Sequence, residues 1–115
     1  MAVHVSAQAF DSLVDQALDL IPDDLAVLVD NLAVLVAEHP PPSEPPDTLG
    51  LYDGLAITDG PPDLFPARIY IFRQPLMAMC DSAEELVEEV KVTVIHEVAH
   101  HFGIDDERLH RLGWA

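Results

Sequence analysis

Positive charge is scarce in this chain. Five Lys and Arg stand against 21 Asp and Glu, for a formal net charge of −16 and a sequence pI near 4.2. The five basic residues (Arg68, Arg73, Lys91, Arg108 and Arg111) are scattered, so no basic patch can engage a phosphate backbone or an anionic bilayer surface. Neither nucleic acid nor membrane is expected as a partner. Cysteine is nearly absent too: Cys80 stands alone and cannot form an internal disulfide, which fits a reducing, cytoplasmic setting. No apolar run reaches the ~18–20 residues of a membrane span. The start, Met1-Ala2-Val3-His4, has neither the basic n-region nor the apolar h-region of a signal peptide.

What is present suffices for a core. Half of the 115 residues are apolar and mean hydropathy is +0.19, which excludes wholesale disorder. The size prior gives one domain, residues 1–115, burying roughly two-thirds of its unfolded surface.

Periodicity divides the chain into elements. Phe10, Leu13, Val14, Ala17, Leu18 and Ile21 recur at helical spacing behind the N-cap candidate Ser6, with Asp11, Asp15 and Asp19 on the polar face. Pro22 punctuates, and Asp23-Asp24 open a short second helix through about Asp30. Asn31–Glu38 reads as a buried strand, although its apolar run could also continue the helix. The stretch 40–46, PPPSEPP, is expected as a stiff, extended polyproline-like loop, either a plain surface connection or a flap beside a cleft. Leu49–Ile57 suggests strands or a loose hairpin around Asp53-Gly54. Arg68–Arg73 is the best strand in the chain, stopped by Pro75. Ser82 and Glu85 then form a capping box for a long helix to about Phe102. Leu86, Val90, Val94 and Val98 make its apolar stripe, widened by Val87, Ile95, Ala99 and Phe102. Gly103 is the expected left-handed cap, and a last short helix covers about Asp105–Leu112.

The chemistry concentrates at the end of the long helix, in His96-Glu97-Val98-Ala99-His100. Histidines four apart differ by about 40° around a helix, so both imidazoles project side by side, as a tetrahedral zinc requires of two nitrogen ligands. Glu97 lies about 60° from His100, too far round to ligate but placed to reach a metal-bound water. Gly103 permits a sharp turn that returns the next carboxylates, Asp105 and Asp106, toward the metal. Counted from His96 the pattern is H-E-x-x-H-x-x-G-x-x-D, with Asp106 in the third-ligand place.

This pattern resembles that of zincin metallopeptidases, with Asp where the extended form carries a third His. The run HEVAHHFGIDDERL, with the preceding RIYIFRQPL and an N-terminal helix, is more closely similar to the small bacterial zincin-like metallopeptidases. The resemblance implies a minimal α+β domain: a small sheet from about 31–38, 50–57 and 68–73, packed against the N-terminal helix and the long zinc helix. It further implies a zinc-dependent peptidase acting on peptide or protein substrates. In it His96, His100 and Asp106 hold Zn²⁺ with a fourth position for water, and Glu97 is the general base. The competing reading is a non-catalytic zinc domain whose metal serves folding or partner binding, closed by Asp106, Asp105 or His101 as a fourth ligand. His101 is otherwise a supporting or surface residue, and His4, His39 and His110 are expected at the surface. Tyr52 and Tyr70 read as strand or core residues, Met77 and Met79 as apolar filling. No Met follows Asp106, and downstream only Arg108, His110, Arg111 or Trp114 could serve as an electrophilic donor, so the floor of the site and that donor come from upstream or are missing.

Overall fold

The computed structural model describes residues 2–29, 32–53, 68–101 and 103–113; among these, the side chains of Leu28, Val29, His101 and Asp106 are outside the description. Ser6 opens α1 (Ala7–Asp19): its backbone is extended and its side chain accepts the Ala9 N–H at 3.1 Å. Phe10, Val14 and Ala17 form the buried face of α1. The Pro22 carbonyl then accepts the N–H groups of Leu25 and Ala26, starting α2 (Asp23–Val29). Asp23 and Asp24 sit in its first turn, where the helix dipole favours negative charge.

Three strands, β1 (Ala33–Ala37), β2 (Gly50–Asp53) and β3 (Arg68–Phe72), form a mixed sheet in the order β1-β3-β2. The central β3 runs parallel to β1, with Leu35 opposite Tyr70, and antiparallel to β2, with Leu51 opposite the same Tyr70. Its Ile69 and Ile71 are fully buried. β1 is shorter and more exposed than the buried strand expected over Asn31–Glu38. It takes an edge, and Leu35 is 41% exposed. The expected hairpin past Asp53 falls on residues 54–67, outside the described residues.

The proline stretch is not an extended rod. Glu44 N–H bonds Pro41 O and Thr48 N–H bonds Pro45 O, so it folds into two successive turns with Pro42 and Pro46 at the second position of each. Proline pre-sets the backbone that position needs. β3 ends at Phe72, ahead of Pro75. Pro75 lies in the first turn of a further helix, α3 (Arg73–Met79), where its missing N–H leaves no intrahelical bond unmade. Within this helix Leu76 and Met77 are buried, whereas Met79 is half-exposed.

The junction is tied by polar contacts. The Arg73 guanidinium donates to Glu38 and, at 2.6 Å, to Val5 O, while Gln74 Nε2 reaches the same Glu38 carboxylate at 3.1 Å. Gln74 and Arg73 together hold the Glu38 carboxyl below its usual pKa. Val3 N–H bonds Cys80 O at 2.8 Å. Burial pushes the Cys80 thiol up to about 11.

The longest helix, α4 (Ala83–His101), packs against α1 and the sheet. Glu85 N–H donates to Ser82 Oγ at 3.1 Å, and the Glu85 carboxylate reaches back to Asp81 N–H rather than to Ser82. Leu86, Val90, Val94, Ile95, Val98 and Ala99 are all buried, and Phe102 is outside the described residues. Among the described residues the result is an α+β fold with a three-stranded mixed sheet. No helix among the described residues is long and apolar enough to cross a membrane.

Candidate functional site

The last turns of α4 leave the apolar pattern. His96 and Glu97 are half-buried and His100 is exposed, while Val98 and Ala99 between them stay in the core. The rings of His96 and His100 stack with centroids 6.1 Å apart and planes 19° from parallel. The four-residue spacing therefore does what helical geometry expects: it puts two imidazoles side by side.

The surroundings of Glu97 shift its carboxyl pKa. Burial is the largest influence and raises its pKa. The neighbouring His100 and His96, and a hydrogen bond from the Tyr52 backbone N–H, pull the other way. The negative charge of Glu44 adds to the rise, which brings the acid of the proline stretch into electrostatic reach of the base. Tyr52 belongs to β2, so this strand borders the helix face that carries Glu97.

The chain turns sharply after His101. Gly103 sits at φ +74°, its N–H bonds His100 O, and Ile104 N–H returns to Ala99 O at 2.8 Å. These are the paired bonds of a left-handed helix cap, which glycine adopts without a Cβ penalty. The next helix, α5 (Asp106–Leu112), is anchored by the fully buried Leu109. Asp105 is its N-cap, accepting Arg108 N–H at 2.8 Å. That bond gives one of the two candidate carboxylates a structural task. Asp106 is the first residue of α5, and its side chain lies outside the described residues, as does that of His101. Among the described residues no three His, Cys, Asp or Glu side chains gather at one point; the described donor pair is His96 and His100. Two imidazoles on one helix face, with an acid beside them, are a donor set that suits zinc.

His4, His39 and His110 are exposed, as expected. Sequence reasoning did not find Tyr52 as a main-chain partner of Glu97, nor Glu44 as a neighbouring charge. No local pattern encodes either contact, because both depend on where β2 lies against α4. The one available signal was Gly50 inside a strand pattern, which marks a close backbone approach.

The family model of zincin-like metallopeptidases matches residues 29–114. Among solved structures, a conserved hypothetical protein from Thermo thermophilus shares the fold, with a TM-score of 0.57 and 23% identity. The likeness covers 85% of this chain and 94% of that one. No curated protein matches the chain.

Proposed function

We propose, for a chain that belongs to the zincin-like metallopeptidase family, that it is a zinc-dependent peptidase in which His96, His100 and Asp106 hold the metal and Glu97 is the general base. The observation that carries this reading is the setting of Glu97. Glu97 is half-buried on the helix that carries the paired imidazoles, feels the charge of both, and accepts a main-chain hydrogen bond from β2. A purely structural zinc site has little use for an acid there. The use of Asp105 as the α5 cap supports Asp106 as the third ligand.

Zinc, when bound, supplies a Lewis acid that acidifies a water and polarises the scissile carbonyl. The residues of the chain do the rest. Glu97 accepts a proton from the attacking water as its oxygen bonds to the carbonyl carbon. It delivers that proton to the departing amine as the C–N bond breaks, and so returns to the carboxylate. The substrate is a peptide or protein segment, and the medium is the cytoplasm.

The test is Glu97→Gln, which removes the base at nearly constant volume. Zinc binding should stay close to that of the parent. Hydrolysis of a mixed peptide pool should fall by a factor on the order of 10²–10⁴. Cleavage that persists undiminished in the variant, or that ignores a chelator, would sink the mechanism.

A further inference from the structure

Strand β2 lies closer to α4 than any side chain larger than glycine permits. A Cβ at Gly50 would stand 2.5 Å from Thr93 Cγ2 and 3.2 Å from Tyr70 O, with Glu97 Cγ at 3.6 Å. Among the described glycines only Gly103 and Gly113 have positive φ, so Gly50 answers a demand for space and not for an unusual backbone. Thr93 is the other half of the contact. It is buried, and its hydroxyl donates to Glu89 O at 2.7 Å, which restricts rotation about χ1 and keeps the methyl turned toward Gly50. One helical turn beyond Thr93 stands Glu97, on the same side of α4.

The register explains what this closeness achieves. Phe72 N–H bonds Leu49 O, so the main-chain groups of the odd-numbered residues of β2 face β3. Those of Gly50 and Tyr52 therefore point to the side of β2 away from β3. The Tyr52 N–H on that side is the donor that Glu97 accepts.

The geometry points to Gly50 as a positioning residue for the general base: seated on the Thr93 methyl, it sets β2 at the distance from α4 at which the Tyr52 N–H can hold the Glu97 carboxylate. This inference rests on the peptidase reading for its effect on catalysis, but the contact itself is testable without any activity. Gly50→Ala forces β2 outward. Thr93→Ser removes the methyl that the new Cβ would strike while keeping the hydroxyl for Glu89.

Four zinc-loaded proteins are compared: the parent, Gly50→Ala, Thr93→Ser, and the double variant. Hydrogen exchange of the Tyr52 amide, read by NMR, should accelerate by about tenfold in Gly50→Ala and return toward the parent in the double variant. With zinc content unchanged, kcat should fall by about a hundredfold in Gly50→Ala, the scale of a misplaced catalytic group, and recover in the double variant. In a Glu97→Gln background the same Gly50→Ala change should cost hydrolysis almost nothing, because the residue it positions is already gone. A merely structural role would lower activity in both backgrounds. If Gly50→Ala does not fold, the double variant must. A double variant that is unfolded, or a Tyr52 amide indifferent to Gly50→Ala, overturns the proposal. Absence of any cleavage by the parent would instead count against the peptidase reading, with the amide exchange still deciding the contact.

Discussion

The two ends of α4 are held by different means. Its first three turns are fastened by packing: Leu86, Val90 and Val94 are wholly buried, and Ser82 and Glu85 close the N-terminus. Its last turns keep Ile95, Val98 and Ala99 in the core beside the half-buried His96 and Glu97 and the exposed His100. The described chain beyond them is held by a glycine cap, the Asp105 cap and the buried Leu109. A helix built this way keeps its apolar stripe buried along its length, and the candidate ligands stand beside that stripe on the polar side of its last turns. Fold and site are then separable, and substitutions at the two ends should do opposite things.

The largest contrast is between Leu86→Ala and His100→Ala. Leu86→Ala should cost about 2–5 kcal/mol of stability by opening a cavity in the core. Zinc affinity of the folded fraction should not change. His100→Ala should abolish tight zinc binding and leave the denaturant midpoint of the metal-free protein within about 0.5 kcal/mol of the parent. Chelation of the parent should likewise loosen residues after His101 more than the first half of α4, seen as hydrogen exchange. Wholesale loss of far-UV helicity on chelation would erase the distinction.

The turn itself sharpens the comparison further. Asp106→Ala should weaken zinc binding by at least about tenfold with little effect on the metal-free fold. Asp105→Ala should do the reverse, costing about 1 kcal/mol as a lost N-cap while zinc remains stoichiometric. A zinc titration of the two variants beside their urea midpoints would expose an exchanged assignment.

The smallest effect is electrostatic. Burial raises the Glu97 pKa, so the folded metal-free protein holds this proton more tightly than the unfolded chain. Stability from this group is thus lost as pH rises through the interval between the unfolded and folded values. Glu97→Gln removes that penalty. The metal-free variant should be slightly more stable than the parent near neutral pH, and the gap should close below the usual carboxylate value of about 4.3. Urea midpoints at the two pH values give the sign.

Much of α4 was legible in advance because its signals are local: a capping pair three residues apart, a stripe at helical spacing, and a glycine where φ turns positive. The His96–His100 pairing followed from the same periodicity. The proline-rich segments were harder to read. Pro75 marked the end of β3 but gave no sign of the helix α3 in whose first turn it sits, and PPPSEPP suggested a rod where two turn bonds fold it. Long-range contacts were invisible. That β1 would take an edge, that β2 would press glycine to methyl against α4, and that its Tyr52 amide would meet Glu97 all depend on sheet order. No spacing within one segment states that order.

The central claim is that the end of α4 and the start of α5 make an open zinc site. A crystal structure of the zinc-loaded protein tests it most directly. The prediction is one zinc per chain, bound by His96, His100 and Asp106 at about 2.0–2.2 Å, with a water completing the tetrahedron beside Glu97. A fourth protein ligand in place of that water, whether His101 or Asp105, or a zinc bound away from His96 and His100, would contradict it.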